Sequence, residues 1–210
     1  MDFSDLQNAL IRGDHLATAE QTRLLLAAGA GPVDILERGL LPGMQVIGKR
    51  FRDGEIFLPE VLVCARAMKS AMALLDPLLA AGSYAAKGKV VLGTVKGDVH
   101  DIGKNLVGVM LRGAGYQVVD IGTGCNADKF VQAVRDHRPD VVGLSALLST
   151  TMTYMKTVID AIRAAGETLP VIVGGAPVNA EFAESIGAAG SARTAGEAVE
   201  LVSRLVGRTD

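Results

Sequence analysis

Tryptophan is absent from the 210 residues, and aromatic side chains make up only 4% of them. The core must therefore be aliphatic, and a hydrophobic content of 49% is enough to build one. Cysteine is nearly as scarce. Cys64 and Cys125 stand alone, without a CxxC pair. That excludes a disulfide framework and a cysteine zinc site, and it points to reduced thiols in the cytoplasm. Neither sign of charge dominates, since 21 basic residues face 23 acidic ones and the net charge is −2. No basic run stands out, so the chain carries no nucleic-acid footprint. No apolar run reaches the ~18 residues that a membrane span requires. The opening MDFSDLQNAL has neither the basic nor the apolar region of a signal peptide. A nucleic-acid or membrane partner is therefore not expected.

Glycine is the abundant residue, with 25 copies. They show no G-x-y period, which excludes a collagen-like chain. Eight lie in residues 1–86 and 17 in residues 87–210, so the two parts differ in character.

The first part reads as helical. A short helix is expected over Ser4–Ile11 with Ser4 as its N-cap. A second run, Asp14 to Ala28, contains Leu24, Leu25 and Leu26. Pro32 opens a third, through Ile35, Leu36, Leu40, Met44 and Ile47. A fourth spans Leu58 to Leu79, where Leu58, Val61, Leu62, Ala65, Met68, Met72 and Leu75 recur at three and four residues. Four helices with short connections predict an antiparallel bundle over residues 1–86. Small residues from Ala81 to Gly88 read as a linker.

In residues 87–210 strands alternate with helices. Strands are expected at Lys89–Val95, Tyr116–Ile121, Asp140–Ser145, Pro170–Val173 and Ala188–Ala192. Helices are expected at Lys104–Ala114, Asp128–Asp136, Thr150–Ala165, Asn179–Ser185 and Gly196–Val206. Fully apolar strands in repeated β-α units imply a parallel sheet covered on both faces. The fold class is thus α/β: a helical bundle followed by a flavodoxin- or Rossmann-like, doubly wound, five-stranded parallel sheet. Such sheets bind ligands at the carboxyl ends of their strands.

The segment richest in chemistry, Gly93 to Asn105, follows the first strand. It is no phosphate loop. Gly97 and Gly103 enclose five residues where a Walker loop has four, Asn105 stands where Ser or Thr is needed, and G-x-G-x-x-G is absent. Asp98 and Asp101 would also repel a phosphate. What the loop does offer is a histidine between carboxylates. In extended backbone, residues i and i+2 project to the same side. Asp98 can then hold one ring nitrogen of His100 and leave the other free as a metal ligand. The rival reading is a surface loop whose Asp and His cap the helix. Cys125 and His137 stand alone, so a protein-built zinc site lacks ligands. A single histidine suits a metal that brings its own macrocycle.

Asp98-Val99-His100-Asp101-Ile102-Gly103 matches the D-x-H-x-x-G motif of cobalamin-binding domains. Ser145-Ala146-Leu147 matches their S-x-L, and Gly174-Gly175 their G-G, in the same order. Phe57-Leu58-Pro59-Glu60 and Ala65-Arg66-Ala67-Met68-Lys69 resemble the helical cap of methyl-carrying corrinoid proteins. Nearly the whole chain thus resembles a stand-alone corrinoid protein of a methyltransferase system, and it is similar to the cobalamin-binding modules of methionine synthase.

The resemblance implies roles for individual residues. His100 would displace the dimethylbenzimidazole of the cofactor and bind cobalt from below. Asp98 would hydrogen-bond His100, and Thr151 would extend that relay. Gly97, Val99, Asp101, Ile102 and Gly103 would complete the cofactor loop. Ser145, with Leu147 of the same motif, would line the slot for the nucleotide tail, and Ser149 would contact the corrin or tail. Gly174 and Gly175 would let the tail approach the backbone. Ala195 would touch the cofactor near the fifth strand, and Phe57 would roof the ring with Leu58 and Val61. Taken singly, Ser145 ends a strand, Gly174-Gly175 makes a turn and Thr151 starts a helix. As a set they lie at strand carboxyl ends around one crevice. The methionines at 68, 72, 152 and 155 read as packing. Lys96, Lys104 and Asp101 read as partly solvated loop charges, and His15 and His137 as surface residues. The chain departs from the family pattern at Ala189, Ser191 and Thr194, where many relatives carry Asp, Tyr and Asp.

A methyl carrier is implied, cycling between cob(I)alamin and methylcobalamin. Its partners would be a substrate:corrinoid methyltransferase, a second methyltransferase acting on tetrahydrofolate or coenzyme M, and a reductive activase. The protein would be a non-autonomous subunit of that system. Two other readings share the motifs: the cobalamin subunit of an adenosylcobalamin-dependent mutase, and a B12 sensor. A flavodoxin-like protein without corrinoid is the third alternative. The first needs a radical barrel, and the second a basic recognition helix.

Overall fold

The computed structural model describes residues 1–81 and 86–207. The linker expected at 81–88 falls, over residues 82–85, outside the described residues. The chain divides into two compact units, Met1–Ala85 with Gly113–Gly115 and Ala86–Arg112 with Tyr116–Asp210.

The first unit is helical. It contains α1 (Ser4–Ile11), α2 (His15–Ala27), α3 (Pro32–Asp34), α4 (Leu41–Arg52) and α5 (Leu58–Ala81). Ser4 is the first residue of α1 and not its N-cap, which is a correction. Phe3 holds the cap position, and the Ser4 N–H and hydroxyl both turn back to the Asp2 carboxylate. No side chain accepts from the first amides of α1. Asp14 does cap α2, accepting from the Ala17 N–H at 2.9 Å. The leucines at 24–26 do not form its buried stripe. Thr18 and Thr22 do, with their hydroxyls bonded to carbonyls one turn back.

Between α3 and α4 the helix continues through a π turn, Ile35–Leu40. Pro42 explains it. Proline has no N–H, so the Arg38 carbonyl loses its donor four residues on. The ladder widens there, and the Gln7 side chain donates to the Arg38 carbonyl at 2.7 Å. Leu6, Leu10, Ile35, Leu40, Ile47 and Leu75 are fully buried in this unit.

The second unit carries β1 (Lys89–Thr94), α6 (Ile102–Gly113), β2 (Gln117–Asp120), α7 (Ala127–His137), β3 (Val141–Ser145), α8 (Ser149–Met152), α9 (Tyr154–Ala164), β4 (Val171–Gly174), α10 (Ala180–Ser185), β5 (Gly190–Ala192) and α11 (Ala195–Val206). The strands pair in parallel in the order β2-β1-β3-β4-β5. This is the flavodoxin order, whose switch point lies between β1 and β3. Asn126, Asn179 and Thr194 cap α7, α10 and α11. The single helix expected over Thr150–Ala165 is instead α8 and α9. They part at Thr153, where the hydroxyl donates to the Thr150 carbonyl at 3.2 Å.

Val91, Val142, Phe130, Met155 and Ile159 form part of the aliphatic core against the sheet. Phe130 is the largest fully buried side chain among the described residues. Its ring fills the space that a side chain at Gly93 would need, 2.7 Å from where a Cβ would stand. Phe130→Ala is expected to lower the unfolding free energy by about 3–5 kcal/mol. Urea denaturation followed by circular dichroism checks this as a lower midpoint.

Candidate functional site

The sheet register builds the floor of the site. Thr94 pairs with Ser145, Ser145 with Gly174, and Gly174 with Ala192, so four strands end in one row. The chain leaves β1 through a turn in which the Asp98 N–H donates to the Val95 carbonyl at 3.1 Å. Gly97 occupies its third position at φ +84°, a conformation that favours glycine. The turn delivers Asp98 into the gap between β1 and β3.

Asp98 is fully buried, and its carboxylate is the hub of the site. One oxygen accepts from the His100 N–H at 3.0 Å and from the His100 Nδ1 at 2.7 Å. The other accepts from the Leu147 N–H at 2.8 Å, the Leu148 N–H at 3.3 Å and the Thr151 hydroxyl at 2.7 Å. Burial by itself pushes this carboxyl group up. The bonds from Thr151, from the His100 and Leu147 amides and from the His100 ring outweigh it, holding the group far below the usual carboxylate range. Asp98 is therefore an anion and only accepts. Nδ1 of His100 therefore donates, which leaves Nε2 as the ring nitrogen that Asp98 does not engage.

The His100 side chain is 46% exposed, and Nε2 has no hydrogen bond among the described residues. The His100 carbonyl accepts from the buried Thr94 hydroxyl at 2.9 Å. In the two loops that Asp98 ties together, Val99, Ile102, Leu147 and Leu148 are large apolar side chains left exposed. Exposed apolar side chains of this kind suit a surface that an apolar or amphipathic ligand would cover. The donor set offers one unhindered imidazole nitrogen. No group of three or more His, Cys, Asp or Glu able to hold a metal ion occurs among the described residues.

The other residues singled out from sequence fall as follows. Asp101 is half-buried, and its carbonyl accepts from the Asn105 N–H at 2.7 Å. Gly103 is exposed in the first turn of α6, with open space where a side chain would stand. Ser145 ends β3 half-buried, and Ser149 is exposed at the start of α8. Gly174 ends β4. Gly175 has φ +131°, and a Cβ there would meet the Ala146 carbonyl oxygen at 1.8 Å, so only glycine fits. Ala195 is the buried first residue of α11. Thr194 before it caps that helix, a task that Asp would serve equally. Phe57 lies in the helical unit, 68% exposed, with its N–H bonded to Glu60 at 3.1 Å. Asp98, His100, Leu147 and Thr151 are thus brought into one cluster.

One expectation is corrected. Lys104 is not a solvated loop charge. Its side chain is 3% exposed and pairs with Asp120, and Nζ also donates to the Asn105 side chain at 2.8 Å. The pairing follows from β2 lying beside β1, which sets the end of β2 next to the start of α6. Thr94 and the Leu148 amide were also not legible in advance, being interior and main-chain groups. Cys125 is buried, its thiol donates to the Ile121 carbonyl at 3.3 Å, and burial pushes it up, so it is a packing group.

Comparison with known proteins follows the same division. Residues 88–203 match the family described as B12 binding domain, and residues 3–76 match a second family of that description. A corrinoid protein of Desulfitobacterium hafniense is 41% identical, with 98% of each chain covered. A trimethylamine corrinoid protein of Methanosarcina mazei is 38% identical, over 93% of this chain and 92% of that protein. Among solved structures, the methanol:cobalamin methyltransferase complex of Methanosarcina barkeri aligns with a TM-score of 0.91 and 32% identity. That alignment covers 98% of this chain and 79% of the other.

The depressed folded-state pKa of Asp98 has a pH signature. It stabilises the fold above the ordinary carboxylate value of about 3.9. That contribution is lost as the pH falls below this value towards the folded-state pKa. Asp98→Asn should lower stability at neutral pH and flatten the acid limb of the stability profile between about pH 5 and pH 2. Urea midpoints across that range test it, and an acid limb parallel to wild type would refute the assignment.

Proposed function

The chain belongs to the B12-binding corrinoid proteins of methyltransferase systems, and from that premise we propose a methyl carrier in which His100 would bind the cobalt of cobalamin. The observation that carries this reading is the His100 ring itself: Nδ1 is committed to a buried anion, the side chain is half-exposed, and Nε2 is unbonded among the described residues. An imidazole so held is a better electron donor than a free one, and its orientation is fixed. The residues fit the group, because the loops that Asp98 ties together offer one free imidazole nitrogen and the exposed apolar side chains Val99, Ile102, Leu147 and Leu148.

Bound cobalamin supplies a cobalt centre that accepts and releases a methyl group. The protein supplies the rest. His100 would hold the cobalt through Nε2. Asp98 fixes the tautomer, and Thr151 with the Leu147 and Leu148 amides keeps Asp98 charged. Gly97 shapes the turn, and Gly103 leaves the first turn of α6 bare. Gly174 and Gly175 keep side chains away from the backbone at the end of β4, where we place the nucleotide tail beside Ser145 and Ser149. The carrier's partners would be a substrate:corrinoid methyltransferase, a second methyltransferase acting on tetrahydrofolate or coenzyme M, and a reductive activase. The cytoplasm is the compartment that suits these reduced partners.

Two measurements test the reading. Protein incubated with hydroxocobalamin should become coloured and show a base-off spectrum with histidine bound; His100→Ala should retain colour but lose the histidine-bound features. An unchanged spectrum in the variant would remove His100 as the ligand. Protein loaded with methylcobalamin should be demethylated by a tetrahydrofolate or coenzyme M methyltransferase, and inertness with every such enzyme would favour a mutase subunit or a sensor.

A further inference from the structure

The Lys104–Asp120 pair sits oddly for a merely stabilising contact. Lys104 lies in the first turn of α6, where the helix dipole disfavours a cation. It is also almost completely buried, whereas its partner is one-third exposed. A buried ion pair of this kind is often replaced by apolar side chains without loss of stability. What distinguishes it is its place in the loop that carries His100.

The His100 loop is short. Between Asp98 and Lys104, the residues Val99, Ile102 and Gly103 are exposed, and the Thr94 hydroxyl ties the middle of the span through the His100 carbonyl at 2.9 Å. Its first end is anchored by the bonds that Asp98 accepts from Leu147, Leu148 and Thr151. Its second end is anchored by Lys104, which Asp120 and Asn105 hold in the interior. Asp120 also accepts from the Gly122 N–H at 2.9 Å. In the same loop, the Gly124 N–H donates to the Asp98 carbonyl at 2.9 Å, and the Gly122 carbonyl accepts from the Thr94 N–H at 3.0 Å. The connection is a closed ring. It runs from Asp98 along the His100 loop to Lys104, across the ion pair to Asp120, and through Gly124 back to Asp98.

We propose that Lys104 and Asp120 are positioning residues that clamp the far end of the His100 loop and so set the strength with which His100 binds cobalt. The proposal rests on the reading of His100 as the axial ligand. Neither residue touches the imidazole; both act through the backbone between Asp98 and α6. The clamp selects one placement of the loop, which is the use of a buried pair that stability alone does not explain.

The test uses the full chain loaded with hydroxocobalamin and the variants Lys104→Met, Lys104→Arg and the double variant Lys104→Met/Asp120→Asn. The ratio of histidine-bound to water-bound corrinoid is read from the visible spectrum. Nitrogen hyperfine splitting in the electron paramagnetic resonance of the reduced Co(II) form gives a second reading. The double variant should melt near wild type without corrinoid, still bind hydroxocobalamin, and show a ratio lower by about tenfold. Lys104→Met should show the same loss, with no further loss in the double variant, because the pair acts as one unit. Lys104→Arg should restore the wild-type ratio. A double variant that fails to fold, or one that folds with the wild-type ratio, overturns the proposal. An unchanged spectrum in His100→Ala would instead sink the parent reading, whatever the Lys104 variants do.

Discussion

A carboxylate sealed from water has to be supplied with donors, and Asp98 imposes that demand at the carboxyl edge of the sheet. It accepts five hydrogen bonds, drawn from the loop after β1 and from the loop and first turn after β3. Two connections that are far apart in sequence are thereby tied to one anion. Left unpaired, such a charge would be strongly destabilising; satisfied, it fixes both loops. The His100 tautomer is a consequence, because an anion that only accepts forces Nδ1 to be the donor.

The sheet makes this convergence possible. Parallel pairing with β1 and β3 as neighbours brings two carboxyl ends side by side where the chain order reverses. Each loop then enters the same gap from its own strand. The glycines act at specific points of this arrangement. Gly97 takes the positive φ of the turn that lowers Asp98, and Gly175 passes so close to the Ala146 carbonyl that no side chain could stand there. The second anchor of the His100 loop, Lys104 with Asp120, lies on the other side of β1. His100 thus sits on a span held from both neighbours of its own strand.

The helical unit follows a separate logic, visible at Pro42. The missing N–H there leaves the Arg38 carbonyl without its helix partner, and Gln7 from α1 supplies one. A sequence feature that periodicity would treat as a simple helix interior therefore becomes a π turn and an inter-helix hydrogen bond. Similarly, α2 buries Thr18 and Thr22 in place of its leucines, because each hydroxyl finds a carbonyl of its own helix.

Most of the architecture was legible in the sequence, since apolar strands alternating with amphipathic helices admit few packings. The relation of Asp98 to His100 was legible too, because residues two apart in extended backbone face one side. Three motifs in order were enough to suggest the family. What sequence could not supply were contacts made by main-chain groups and by residues distant along the chain. The amides of Leu147 and Leu148 have no side-chain signature, and nothing in the pattern around Ser4 marks Asp2 as its hydrogen-bond partner. Lys104 resembled a loop charge until β2 placed Asp120 beside it. Local periodicity determines which elements form, because it is set by backbone geometry and neighbouring side chains. The pairing of buried charges is decided only when strand order fixes which ends meet, because burial makes each charge depend on a partner that the linear chain does not reveal.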